Sequence, residues 1–272
     1  MLSENKAVAA VLVVLKILVT IVIVVGLSVV AEHVSPRVAG ILSGYPLGAA
    51  IALFFIGLEI GPDFAAESAV YTIAGLVGSL CFVYAYHQAV LHLKKGTILQ
   101  YSAAATLAYF AAIALLQTLG LSKITAVLLT VGATLAFAFV FRHIEDFRIE
   151  HPIRLTFRVL LLRAVLASGV IVMITGAAKW VGPRWAGLFS AFPTTLFPLM
   201  LIVHFGYGPG PVSTIIKNFP RGLGSLILYA LAVSLVYPRC GVYWGTLAAF
   251  AAATGYLAVY GALMARKGKY RL

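Results

Sequence analysis

Val34-Ser-Pro-Arg-Val-Ala-Gly-Ile-Leu-Ser-Gly-Tyr-Pro46 returns 147 residues later as Val181-Gly-Pro-Arg-Trp-Ala-Gly-Leu-Phe-Ser-Ala-Phe-Pro193. Seven of the thirteen positions are identical. The same offset, without a gap, pairs Lys16 with Arg163, Gly61-Pro62 with Gly208-Pro209, and Gly75-Leu76 with Gly222-Leu223. Apolar composition alone aligns any two hydrophobic segments. It does not bring Pro-Arg, Ser-x-x-Pro, Gly-Pro and an isolated cation into one register, so the chain reads as a duplication.

Around this repeat the chain is too apolar for a soluble domain. Of its 272 residues, 62% are apolar and 10% are charged, against roughly 45–50% and 25% in ordinary globular domains. Apolar stretches of about 20 residues recur from end to end, each long enough to cross ~30 Å of hydrocarbon as a helix. The pattern predicts an all-α polytopic membrane protein of about nine helices, near 7–33, 38–59, 66–90, 98–119, 122–141, 156–180, 185–206, 213–236 and 241–264. Residues 1–272 would form a single membrane domain: a first repeat at 1–120, an inverting helix and polar linker at 121–155, and a second repeat at 156–272.

The net charge of +12 belongs mostly to the connections. No basic run is interleaved with aromatics on a polar face, which sets nucleic acid aside. With the N-terminus outside and the C-terminus inside, the inner connections and tail hold thirteen Lys and Arg residues and the outer ones five. That is the asymmetry of the positive-inside rule. Cys81 and Cys240 suit neither a disulfide framework nor a CxxC site. The histidines are scattered without ligand spacing, so no metal and no cofactor are expected.

Five predicted spans separate each position from its partner. An odd number turns the second unit over, which predicts inverted repeats with a site near the bilayer midplane where they meet. Miscounting by one span would make the repeats parallel. Ser43, Tyr45 and Pro46, and their counterparts Ser190, Phe192 and Pro193 with Thr194 and Thr195, fall inside the second helix of each unit. A proline there removes a backbone donor and frees the carbonyl four residues back. Broken helices at equivalent places in two halves point to a transporter site; the plainer reading is a packed proline kink. Pro198 makes the second copy the more distorted in expectation.

Lys16 and Arg163 lie inside apolar spans, where a cation costs roughly 2.5–3.5 kcal/mol on insertion scales. An anionic substrate, a carboxylate partner or a backbone carbonyl would offset each charge, and snorkelling to the interface is the alternative. Arg37 and Arg184 each follow a proline at a helix start, where the dipole favours anions. They read as gate or headgroup contacts, one at each membrane face, or as ordinary interfacial arginines. Glu59 and His204 are the candidates for a coupling proton, against simple interfacial solvation.

Trp185-Ala-Gly-Leu-Phe-Ser-Ala-Phe-Pro-Thr-Thr-Leu196, running on to Gly222, resembles the GlpM-like family of small bacterial inner-membrane proteins. Ala186, Gly187, Leu188, Phe192, Pro193, Thr194 and His204 carry the resemblance. The first unit departs from it, with Tyr45, Pro46, Leu47 and Gly57 at the corresponding places. The resemblance implies a bacterial inner-membrane protein made of two fused units and names no substrate.

Together these features predict a secondary transporter of a small anionic or zwitterionic solute, working by alternating access within the lipid bilayer; homodimer formation is compatible with it. A flippase of a phosphorylated lipid, its headgroup met by Arg37 and Arg184, is the second reading. A subunit or assembly factor without a substrate is the third. No Gly-rich phosphate loop ending in Gly-Lys-Ser/Thr, no His-Glu-x-x-His and no Gly-x-Ser-x-Gly is present, so neither an ATP-driven pump nor an enzyme is expected.

Overall fold

A computed structural model describes residues 11, 13–23, 26, 35–93, 96–147 and 157–266. Every regular element among them is helical. In chain order these are α1 (Val13–Ile23), α2 (Pro36–Leu42), α3 (Leu47–Glu59), α4 (Pro62–His92), α5 (Ile98–Leu116), α6 (Lys123–Val140), α7 (Phe157–Ser190), α8 (Leu196–Tyr207) and α9 (Pro209–Arg266). Among the described residues, six segments are long and apolar enough to cross a membrane, with Pro36–Glu59 counted as one across its break. The protein is a membrane-embedded helical bundle.

Local chemistry sets the helix ends. Pro36 and Pro62 open α2 and α4, at first-turn positions where the missing N–H costs nothing. Thr97 with Gln100, and Ser122 with Thr125, form reciprocal capping boxes that start α5 and α6. Two long helices are interrupted. α7 leaves helical geometry at Gly182 (φ 79°), giving α7a (157–181) and α7b (183–190). α9 does so at Gly241 (φ 73°), giving α9a (209–240) and α9b (242–266). Unbroken, the 58 residues of α9 would reach about 87 Å at 1.5 Å per residue, far beyond one bilayer crossing.

The offset of 147 also holds for the elements. It carries Pro36 to Pro183, Pro62 to Pro209 and the break at 43–46 to 190–193. The junctions before the third helices match too, since Gly61 (φ 134°) and Gly208 (φ 79°) both take up positive φ. Only glycine does so without strain. Gly208→Ala is expected to destabilise the protein by about 1–2 kcal/mol, read as a fall in the midpoint of thermal unfolding in detergent. Nothing lies within 4 Å of a Cβ added there, so a loss would report backbone strain alone.

The sequence reading placed the third helix of each unit at 66–90 and 213–236; the structure starts them earlier, at Pro62 and Pro209. Proline at the first helical position opens a helix rather than delaying it. Pro198 was expected to distort the second unit further. It falls instead in the first turn of α8, where proline is tolerated, and it adds no second break.

α4 is the centre of the bundle: 78% of its apolar window is buried, against 22% for α5 and 17% for α6. Leucines of α5 and α6 such as Leu99, Leu107, Leu128 and Leu135 point outward, as they do toward acyl chains. The two halves meet through glycines, and the contacts are reciprocal. Gly40 faces the Ile215 carbonyl, while Gly187 faces the Ser68 carbonyl. Gly222 abuts the Ile41 carbonyl, while Gly75 lies against the Leu188 carbonyl. Each pair becomes the other when the repeat numbering is exchanged, as in a self-complementary interface.

Candidate functional site

Both breaks are built by the same hydrogen bonds. In the first, Gly44 N donates to Ile41 O, Tyr45 N to Leu42 O, Leu47 N to Tyr45 O and Ala50 N to Pro46 O. In the second, Ala191 N donates to Leu188 O, Phe192 N to Phe189 O, Thr194 N to Phe192 O and Phe197 N to Pro193 O. The serines match as well: Ser43 Oγ donates to Ala39 O at 2.8 Å and Ser190 Oγ to Ala186 O at 2.7 Å. Each serine satisfies a carbonyl of the helix that ends there, as an unwound helix in an apolar setting requires.

Ser43, Tyr45, Ser190, Phe192, Pro193, Thr194 and Thr195 line one central cavity of about 20 Å³. Pro46 shapes the break as the N-cap of α3 but is not among the lining residues. The sequence reading missed Gly48, Ser79 and Leu226, which are among the other lining residues. Gly48 is needed because Thr194 Oγ1 occupies the space a Cβ would take. Nothing in sequence spacing signals that contact, which joins opposite halves. α3 and α8 both begin at this cavity, and neither N-cap side chain bonds the first turn. Two uncapped helix N-termini therefore converge on one small space, and their amides favour a polar or anionic occupant.

The two breaks differ in how they are held. Thr72 Oγ1 donates to Gly187 O at 3.1 Å, Tyr109 OH to Leu188 O at 2.5 Å and Ser79 Oγ to Ala191 O at 2.5 Å. At the positions equivalent to Thr72 and Ser79 stand Phe219 and Leu226, and Tyr256, the counterpart of Tyr109, donates to Arg221 O instead. Among the described residues, hydroxyls from other helices clamp the carbonyls of the second break alone.

Lys16 lies outside the cavity. Its Nζ is 2.7 Å from Glu59 Oε1 and donates to Thr175 Oγ1 at 2.7 Å, with the Phe55 ring 5.7 Å away. The Lys16 side chain is 3% exposed and that of Glu59 19%, so the pair is sheltered. Two of the predicted residues thus meet each other, and the carboxylate is the partner that offsets the intramembrane cation. The Arg163 side chain lies outside the described residues. His204 Nδ1 is 2.8 Å from the buried Tyr86 hydroxyl, and its ring stacks on Tyr101.

Two wider cavities flank this centre. The first, about 490 Å³, gathers Asp63, Glu67 and Tyr71 from the start of α4, Lys123 from the start of α6, Arg184 from α7b, and Ser234 and Pro238 from the end of α9a. The second, about 720 Å³, gathers His87 and Leu91 from the end of α4, Phe141 and His143 beyond α6, and Gly210 and Ser213 from the start of α9a. α4 and α9a are therefore antiparallel, and the cavities sit at opposite ends of α6, about 27 Å apart at 1.5 Å per residue. Arg184 belongs to the first, its guanidinium 5.6 Å from the Tyr71 ring. Arg37 is toward the other end, on the helix whose Gly40 faces Ile215 and Asn218. No protein-family model, curated protein or solved structure matches the chain.

Proposed function

We propose that the protein is a secondary transporter of a small polar solute, with two four-span units inverted about α6, nine spans in all. The observation that carries this reading is the central cavity, walled by matching residues of both breaks and flanked by one vestibule at each end of the bundle. The antiparallel course of the equivalent helices α4 and α9a supports inversion, and the reciprocal glycine contacts support a two-fold relation between the units. Each vestibule collects only connections that the charge asymmetry assigns to one side, which supports an N-out, C-in arrangement in a bacterial inner membrane. On this reading the chain is two GlpM-like units fused around one inverting helix.

A cavity of about 20 Å³ holds roughly one water. The conformer is occluded, and transport requires each half to open in turn toward its own vestibule. Thr194 and Thr195 make no side-chain hydrogen bond among the described residues, so their hydroxyls and the adjacent first-turn amides are the solute's contacts. Ser43 and Ser190 already spend their protons on carbonyls and serve as acceptors. Glu59 is the coupling-proton candidate: protonation would release Lys16 and uncouple the end of α3 from α1 and α7a. A lipid-flipping variant is favoured only by Arg184, which lines a vestibule near a membrane face.

The test needs no known substrate. Thr195→Cys, with Cys81 and Cys240 replaced by serine, is labelled in sealed vesicles with a membrane-impermeant maleimide applied from one face or the other. Labelling from both faces is expected. A residue reached from neither face, or only ever from one, would sink alternating access at this cavity.

A further inference from the structure

The vestibule at the start of α6 carries two acids and two bases that form no direct ion pair with one another. Asp63 stands in the first turn of α4, where the helix dipole favours a carboxylate, and Glu67 follows one turn later. Lys123 and Arg184 stand on the same cavity wall. Lys123 Nζ donates to the Ser234 carbonyl at 2.9 Å, and Arg184 rests over the Tyr71 ring at 5.6 Å. The ion pairs among the described residues are Lys16–Glu59 and Lys217–Asp146; no carboxylate oxygen of the vestibule lies within 4.0 Å of either of its cations. Both cations are held by other groups, and Asp63 and Glu67, both exposed, form no ion pair among the described residues.

We propose that this vestibule binds a zwitterion, its oxyanion between Lys123 and Arg184 and its ammonium between Asp63 and Glu67. The cavity volume of about 490 Å³ lies within the range of small-molecule sites. A simple anion entering it meets two carboxylates, and a simple cation meets two basic groups. A ligand carrying both charges satisfies all four, through charge-assisted hydrogen bonds on each side. The guanidinium offers a planar fork that suits a carboxylate and a phosphate equally. The shared chemistry is therefore an ammonium and an oxyanion a few bonds apart, as in a free amino acid or a phosphoethanolamine headgroup.

The duplication makes the site one-sided. The repeat places Gly210 opposite Asp63 and Thr214 opposite Glu67, so the far vestibule lacks this pair of acids. It holds His87, His143 and a single carboxylate, Glu145, and neither lysine nor arginine. Recognition would occur at one face and release at the other. The proposal narrows the solute class given above and rests on the transport reading only for the use made of the bound ligand.

Binding is measured on the full chain in nanodiscs by tryptophan fluorescence, since Trp185 adjoins Arg184. The probes are β-alanine and glycerophosphoethanolamine, with inorganic phosphate and ethylamine as single-charge controls. At least one zwitterion is expected to bind about tenfold or more tighter than either control. Asp63→Asn with Glu67→Gln should abolish that preference, and Lys123→Ala should weaken both zwitterions. Two sources are separated by the lipid. Loss of soluble-probe binding in phosphatidylethanolamine discs but not in phosphatidylglycerol discs identifies a headgroup as occupant; equal binding in both identifies a free solute. No saturable binding, affinity for phosphate equal to that for both zwitterions, or an unchanged preference in the Asp63/Glu67 variant overturns the proposal. Because Thr195→Cys labelling reports on the central cavity, these outcomes leave the transport reading to its own test. Binding without two-faced labelling would in turn reject transport and leave the vestibule site standing.

Discussion

Lys16→Met is expected to destabilise the protein by about 3–5 kcal/mol, and Glu59→Gln by a similar or larger amount, because each leaves one charge of a sheltered pair unmatched. The double variant, Lys16→Met with Glu59→Gln, should recover most of the loss. An apolar side chain and a neutral amide restore charge balance, and buried ion pairs are often replaceable at little net cost. Lys16 is 3% exposed and its partner 19%, so Glu59→Gln strands the more buried of the two charges and Lys16→Met the less buried one. Chemical unfolding in mixed micelles reads the cycle. Additive losses in the double variant would show that the two groups act independently and that the 2.7 Å contact contributes little. The same variants separate structure from coupling: a Glu59 that serves only as a strut would leave the pH dependence of Thr195→Cys labelling unchanged in Glu59→Gln.

Alanine at Gly222 or Gly187 is the second large effect, about 3 kcal/mol or more, at the upper end of the cost of overpacking. A Cβ at Gly222 would run into the Ile41 carbonyl, and one at Gly187 into the Ser68 carbonyl. Both obstacles are backbone, which no rotamer change moves aside. Gly169 is the control. It lies in α7a with nothing within 4 Å of an added Cβ, so alanine there should gain about 1 kcal/mol of helix propensity. Similar yields and unfolding midpoints for all three alanine variants would contradict the close backbone crossing between the halves.

Much of this arrangement was legible because it is local. Pro46 and Pro193 with their preceding serines announced two broken helices, and seven of the predicted residues of those breaks surround one cavity. Gly61-Pro62 and Gly208-Pro209 marked equivalent junctions, since positive φ followed by a first-turn proline leaves a short and recognisable sign. What sequence could not supply was the partner of each polar group. Lys16 announced a cost that something had to offset. Its partners Glu59 and Thr175 lie 43 and 159 residues away, and no periodicity links them. His204 likewise gave no hint of Tyr86, which meets it from another helix. Pro198 misled because its effect depends on where α8 begins: one turn deeper it would have broken the helix.

The hydroxyl clamps on the second break have a mechanical consequence. A symmetric rocker divides its deformation equally between two flexures, whereas unequal flexures send the motion to the softer one. Thr72 and Ser79 of α4 and Tyr109 of α5 tie down the segment 187–191. The twin segment at 40–44 has phenylalanine and leucine where two of those clamps would be. On the proposed transport reading, displacement is steered into the amino-terminal half, and a machine built from two copies of one part acquires a stator and a rotor.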